Sequence, residues 1–481
     1  MKIFDKLIVI LLVCIYLLVA IGCLKELGEG YFSWPHQLGI VEWISLIIFC
    51  FTFYLGMLKE KYFSFLLIFF LVGFPVSFNN ILPSVLISNT TNYFKTFYPL
   101  ITHIDIFLLA GLCRFYKKKT TSNFFLRVIK ILTTIIFIIT IYSLISNDSN
   151  HEKLIILSHS YHFRYLALLV LIASYTSVFF NHRYLFFGFL FSIGFLVLES
   201  ILTFKFNYGV SSRYRSGSLG NNTFGSFLAT AFVFLTHYYK KYNKTFFYWL
   251  GSVFLVFLIF LTQTRIAIFI TLVCLTYNLL KILSNNLKLN LVFLAILSLV
   301  FFKYILVNKI PERYDITNLK LKKIDFSKNE LNDILVLEDN KFNASLKLRF
   351  NHFQTSLNMI QQNPIFGIGS GTWDLKKTYY GSHDKNYMDS HNDFLGVMSQ
   401  YGIIIGIILC VFMYFFPSMV FLKSKKEHLQ SFYVFSLTMS IMGLTNTNLF
   451  KFPIYSFLAF ICVYYANNYQ KKLNENRYNW N

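Results

Sequence analysis

The sequence predicts an all-α polytopic membrane protein of about 12–14 transmembrane helices with one large outward-facing loop. Three observations carry that prediction. Of 481 residues, 56% are hydrophobic and only 14% are charged, too little charge for the surface of a soluble protein of this size. Apolar runs of about 20 residues, long enough to cross a hydrocarbon core roughly 30 Å thick, recur along the chain. Runs of that length suit helices, because a helix satisfies every backbone N–H and C=O within its own segment.

The first run, Leu7 to Cys23, follows MKIFDK and ends in VAIGC. Ala20 stands where a lipoprotein signal has leucine, so this run reads as an uncleaved first span. Further spans fall near 39–57, 62–79, 98–114, 127–146, 164–180, 184–204, 223–239, 245–262, 265–282 and 289–306, and then near 394–422, 429–447 and 453–469. The chain therefore divides into a transmembrane bundle over 1–306, a large loop over 307–393, and C-terminal spans with a tail over 394–481.

Charge sets the orientation. Lys59/Lys61, the cluster from Arg114 to Lys119, Arg183, Lys240/Lys241/Lys244, Lys281/Lys288, Lys423/Lys425/Lys426 and Lys471/Lys472/Arg477 fall on one side, which is cytoplasmic by the positive-inside rule. Both termini lie on that side. These loops account for the net charge of +22, so nucleic acid is not an expected partner. The seven cysteines lie in or beside apolar runs, with no disulfide framework and no metal-ligand spacing. The opposite, outward face receives Arg213/Arg215, Arg265 and the whole 307–393 loop, so basic elements from three loops share it.

Within that loop, Pro311 to Lys341 mixes charges without a clear period and reads as a surface excursion. Beyond it, Asn343 is a candidate N-cap, and Leu346, Phe350, Phe353, Leu357 and Ile360 follow at 4-3-4-3 spacing on one helical face. Pro364 after Asn363 ends the helix. Such a helix is expected to lie on the membrane surface or over the mouth of the bundle.

Ser390-His391-Asn392-Asp393 reads as a capping box at the next span, with Ser390 as N-cap and Asp393 at the third helical position. His391 would then sit in the first turn, where the helix dipole disfavours imidazolium and keeps the ring able to accept a proton. The plainer reading makes Ser390 and Asp393 caps only and His391 an interfacial polar residue. Arg215 lies in RYRSGSLGNNTFG, whose small and polar residues expose backbone N–H groups beside a guanidinium, as an anionic oxygen-rich group requires. Arg265 occupies the tight turn TQTR between two spans, and Arg349 lies on the surface helix. Each of these arginines reads equally as a snorkelling residue at the bilayer edge. Lys347 reads as a lipid headgroup contact, and membrane lipids are expected partners. Glu199, His103 and Asp105 are either functional groups at membrane depth or partners for buried arginines. Asp389, His391 and Asp393 have unspecific spacing, so neither a metal nor a cofactor is expected.

These parts suit one kind of reaction. An outward-facing site has no nucleotide supply, so a group-transfer donor must arrive activated in the membrane, as a lipid-diphosphate sugar does. Fixed guanidinium groups can carry the charge of the leaving diphosphate without a metal, and a neutral histidine can take the proton of an attacking hydroxyl.

At these same residues, RYRSGSLGNN with Arg215, TQTRIA with Arg265, RFNHFQTSLNMIQQNPIFGIGSGTW with Arg349 and SHNDFLGVMSQYG with His391, the chain resembles the O-antigen ligase and Wzy-type polymerase superfamily. The motifs cover the C-terminal half, and the architecture resembles the family's throughout. The resemblance implies a GT-C-like fold in the bacterial inner membrane with its active site facing the periplasm. It implies metal-independent, inverting transfer of a glycan from undecaprenyl diphosphate. It makes His391 the general base, Arg215 and Arg265 the diphosphate binders, and Arg349 a third binder or an acceptor contact. The sequence departs from the family pattern at one point: Gly402 stands eleven residues after the histidine as expected, but the next glycine is Gly406, one residue late.

Three family activities differ only in acceptor: a ligase uses lipid A-core, a polymerase another lipid-linked glycan, and an O-linked oligosaccharyltransferase a protein hydroxyl. The single dominant outer loop and its legible histidine motif favour the ligase. A lipid-linked oligosaccharide flippase is the non-enzymatic alternative, but the repeat symmetry and matching broken spans of a transporter are not seen in the sequence.

Overall fold

The computed structural model describes residues 84–86, 97–99, 105, 108–109, 111–113, 124–174, 193–194, 196–197, 224–229, 231–232, 245–262, 264, 267–273, 275, 321–324, 335–337, 341–382, 390–415 and 443. Among these the protein is mostly helical. The runs expected at 7–24, 39–57, 62–79, 289–306, 429–447 and 453–469 lie wholly or almost wholly outside the described residues, as do Arg215, Arg265, His103, Glu199 and Asp389.

The chain opens, as described, with a short antiparallel ladder of β1 (Ser84–Leu86) and β2 (Phe97–Pro99), which packs on α2 below. The run expected to span from residue 98 thus begins as strand. Helix α1 (Phe124–Ile145) coincides with the expected span at 127–146. It is the one described helix long and apolar enough to cross a membrane by itself. Thr133, Thr140 and Ser143 donate their hydroxyls to the carbonyls of Ile129, Ile136 and Ile139 at 2.7–2.8 Å, which satisfies these donors within the helix. Ile131, Phe137, Ile138 and Ile141 remain exposed on one side, while Leu126, Ile129, Leu132 and Ile136 are buried.

Helices α2 (Asn150–His159) and α3 (Tyr161–Ser174) follow and pass the test of a span together, bent by 42°. At the bend Ser160 donates its hydroxyl to the carbonyl of Ile156 at 2.7 Å, occupying an acceptor that a continuing helix would use. Both helices pack on α1. Arg164 of α3 is buried and pairs with Asp105 at 3.1 Å, so Asp105 is a structural partner for a buried arginine.

Helix α4 (Thr245–Thr262) has the bounds read from the sequence. Thr262 and Thr264 frame a tight turn in which the backbone N–H of Thr264 donates to Thr262 Oγ1, and helix resumes at 267. Gly225 backs onto this turn: a Cβ there would lie 2.7 Å from Thr264 and 2.8 Å from the Thr262 hydroxyl. The turn preceding Arg265 is therefore seated against the helix that follows the Arg215 loop.

Strands β3 (Leu321–Ile324) and β4 (Leu335–Leu337) pair antiparallel with a register shift between Leu321 and Lys323. They lie in the stretch read as an unpatterned excursion; a helical period cannot detect strands this short. The remaining described elements are α5 (Lys341–Gln362), α6 (Trp373–Lys376) continued by a 3-10 turn to Tyr380, α7 (Asp393–Tyr401), α8 (Ile403–Cys410) and a π-helical turn over Val411–Phe415.

Helix α5 begins at Lys341, two residues before the expected cap, which puts Asn343 inside its first turn. Its buried face also differs from the expected one. His352, Thr355, Ser356 and Met359 are at most 1% exposed, whereas Phe350, Phe353, Leu357 and Ile360 are only partly buried. The helix buries its small polar side chains fully and its apolar stripe only in part. The span expected at 394–422 is broken at Gly402, whose φ of +80° separates α7 from α8.

Candidate active site

The site grows from the turn between α5 and α6. Helix α5 stops before Pro364, which lacks the N–H to continue it. Gly367, Gly369 and Gly371 then take positive φ values of +67°, +108° and +71°. The turn they form lies across the C-terminal end of α7 and supplies donors for carbonyls that have no partner within the helix. The N–H of Ile368 donates to Ser399 O at 2.8 Å and that of Gly369 to Gln400 O at 3.1 Å. The N–H of Gly371 donates to Gln400 Oε1 at 2.8 Å. From the other direction, Ile403 at the start of α8 donates its N–H to Pro364 O at 2.8 Å. Only glycine fits at 402, because a Cβ there would lie 2.0 Å from the carbonyl oxygen of Ile365.

The same turn is fastened to the first three helices. Ser370 N–H donates to Ser143 Oγ of α1 at 3.0 Å. A Cβ on Gly371 would meet the Ile156 carbonyl of α2 at 2.7 Å. Tyr401 places its hydroxyl 2.9 Å from His162 Nδ1 of α3 and 3.0 Å from Ser370 Oγ, and all three residues are buried. Lys376 donates to Ile368 O at 2.8 Å; burial lowers its pKa, and the carboxylate of Glu152 on α2 opposes that shift.

Trp373 anchors the next step. Its indole packs with Met359, Ile368 and Tyr380, and Nε1 donates to Ser356 Oγ at 3.1 Å. Ser356 in turn donates to the His352 carbonyl at 2.9 Å. The His352 ring is fully buried and meets Trp373 edge to face, with centroids 5.4 Å apart. On His352 lies the ring of His391, nearly parallel at 12° with centroids 5.3 Å apart.

The capping box expected at Ser390–Asp393 is not formed. Asn392 is the N-cap: its side chain accepts from Leu395 N–H at 3.0 Å, and α7 begins at Asp393. His391 therefore precedes the cap instead of occupying the first turn. Its φ of +50° makes it the one described non-glycine residue in the left-handed region, a conformation costing roughly 1–3 kcal/mol. Ser390 braces that turn, donating its hydroxyl to Asn392 O at 2.5 Å and accepting from Asn392 N–H at 3.3 Å. The hydroxyl fits because residue 396 is glycine; a Cβ there would be 2.4 Å away. Asp393 is also not a capping group for Ser390. It is buried and accepts a hydrogen bond from Tyr414, which the π-helical turn brings into place.

Arg349 is partly exposed on α5, one turn before His352, so it lies on the side of the helix that carries the histidine platform. Lys347, two residues earlier, is likewise partly exposed. The late glycine of the sequence pattern has a packing role: a Cβ on Gly406 would lie 2.7 Å from Met398 Cα, so its absence lets α8 approach α7. Sequence reasoning missed His352, Trp373, Ser356 and the His162–Tyr401–Ser370 cluster. The 3-1-3 spacing of His352, Thr355, Ser356 and Met359 was the available signal for the first of these.

Comparison with curated proteins finds no match. Residues 250–411 match the family model described as O-antigen ligase, a segment of about a third of the chain that includes Arg265, Arg349 and His391 but not Arg215. That match supports placing this chain in the O-antigen ligase and Wzy superfamily of membrane proteins.

Proposed function

We propose that this protein is an inner-membrane glycosyltransferase that moves a glycan from undecaprenyl diphosphate to an acceptor hydroxyl on the periplasmic face, and that its acceptor is lipid A-core. The observation that carries the reading is His391: partly exposed, held in a left-handed turn, stacked on a buried ring, with Arg349 on the same supporting helix. Structure of that kind at a histidine is a cost that capping alone does not require.

In the reaction, His391 takes the proton of the acceptor hydroxyl as the oxygen attacks the anomeric carbon. The new C–O bond forms while the bond from that carbon to the diphosphate oxygen breaks, and its electron pair leaves with undecaprenyl diphosphate. A single displacement inverts the anomeric configuration. Arg215, Arg265 and Arg349 carry the charge that develops on the diphosphate, so the chemistry needs no metal. The seating of Gly225 on the Thr262–Thr264 turn supports joint action of the first two arginines, since it brings their flanking segments together.

The test is surface glycan profiling in a deletion strain complemented with wild type or variants. A ligase deletion leaves lipid A-core bare while long glycan accumulates on the lipid carrier; single-repeat glycan on the core would make the protein a polymerase. His391→Ala is expected to abolish transfer in a protein that still inserts, and Arg215→Ala or Arg265→Ala to lower donor use on the order of a hundredfold. Full complementation by His391→Ala would sink the catalytic assignment.

A further inference from the structure

We propose that His352 is the positioning residue for His391, a rigid aromatic platform that fixes the direction in which the reactive ring presents its nitrogen. This inference rests on the assignment of His391 as base and adds a residue to it. His391 itself takes the left-handed backbone angle and is partly exposed. One face of its ring lies against His352, nearly parallel to it, with centroids 5.3 Å apart. His352 itself is 0% exposed and sits mid-helix on α5. Trp373 presses edge-on against it, and the indole is locked in turn by its hydrogen bond to Ser356 and by Met359 and Ile368. An immobile indole thus holds an immobile imidazole, which holds the reactive one.

This role depends on a flat aromatic ring at 352, not on ring nitrogens. The experiment measures kcat and KM for the purified full-length protein, with lipid-linked glycan extracted from ligase-deficient cells as donor and rough lipopolysaccharide as acceptor. His352→Leu is expected to lower kcat by roughly tenfold to a hundredfold, as small misplacements of a reacting group do, with KM for the donor little changed. His352→Phe, which keeps the ring, is expected to recover most of that loss. Melting of the detergent-solubilised variants separates misfolding from misplacement, and His352→Phe keeps the proposal testable if the leucine variant fails to fold. Unchanged kcat in a folded His352→Leu variant, or equal damage from phenylalanine and leucine, would each overturn it. If His391→Ala is itself fully active, the functional reading fails first; if it is inactive while His352→Leu is normal, only the platform fails.

Discussion

At His391 the chain accepts an unfavourable backbone angle, and two neighbours divide the work of holding it. Ser390 closes the turn through both polar groups of Asn392, whereas Asn392 uses its side chain on the helix that follows. The two should therefore fail differently when trimmed. Asn392→Ala removes an N-cap and is expected to cost about 1 kcal/mol of stability, read as a lower melting midpoint. Ser390→Ala leaves the cap intact and releases the turn, so transfer should fall while the midpoint moves little. Equal melting losses with no change in transfer for Ser390→Ala would make Ser390 a helix terminator and nothing more. The helix start was legible in SHND to within about a turn. Which residue caps was not, because serine, asparagine and aspartate all serve as caps and the choice depended on Tyr414, well beyond any local window.

Helix α5 is the element on which pattern reading found the right object but not its most deeply buried residues. Its extent was readable from the apolar spacing and from Pro364, and the structure moves its start by two residues. Which residues it buries most deeply was not readable, because apolar spacing marks a stripe but not the depth to which each side chain is covered. The helix leaves Phe350, Phe353 and Leu357 partly exposed and buries His352, Thr355 and Ser356, with the hydroxyls of Thr355 and Ser356 donating to the carbonyls of Asn351 and His352. Ser356→Ala tests this ranking. It removes the acceptor for a buried indole N–H, which is expected to cost about 1–3 kcal/mol, read as a lower melting midpoint. Phe353→Leu on the partly exposed stripe should shift that midpoint far less. The reverse ranking would restore the apolar stripe as the buried face.

Across the whole molecule, the elements that bear the candidate chemistry do not hang from the bundle as an independent loop. Helix α1 was legible as a span and α4 as an apolar helix because their apolar runs are self-sufficient; the joint between α1–α3 and the glycine turn was not, since it is made of single polar residues separated by more than 200 positions. Ser143 and Ile156 each receive one part of that turn, and His162 meets Tyr401 of α7. Tyr401 is the member of the joint that touches both sides, through His162 and Ser370. Tyr401→Phe keeps the ring and deletes the bridging hydroxyl, so packing survives while the hydrogen bonds that hydroxyl made to His162 and Ser370 are lost. Each buried polar group left without a partner costs about 1–3 kcal/mol, which predicts a lower melting midpoint. The local consequence is more specific. With the tie to α3 cut, peptides over 363–382 should exchange amide hydrogens faster, while those over 245–262 should not change. Faster exchange confined to that turn, with reduced transfer, would mean that the bundle positions the site. Wild-type exchange and melting would mean that the backbone bonds from the turn to Ser399 and Gln400 hold it unaided, and that the bundle contributes no more than a membrane anchor.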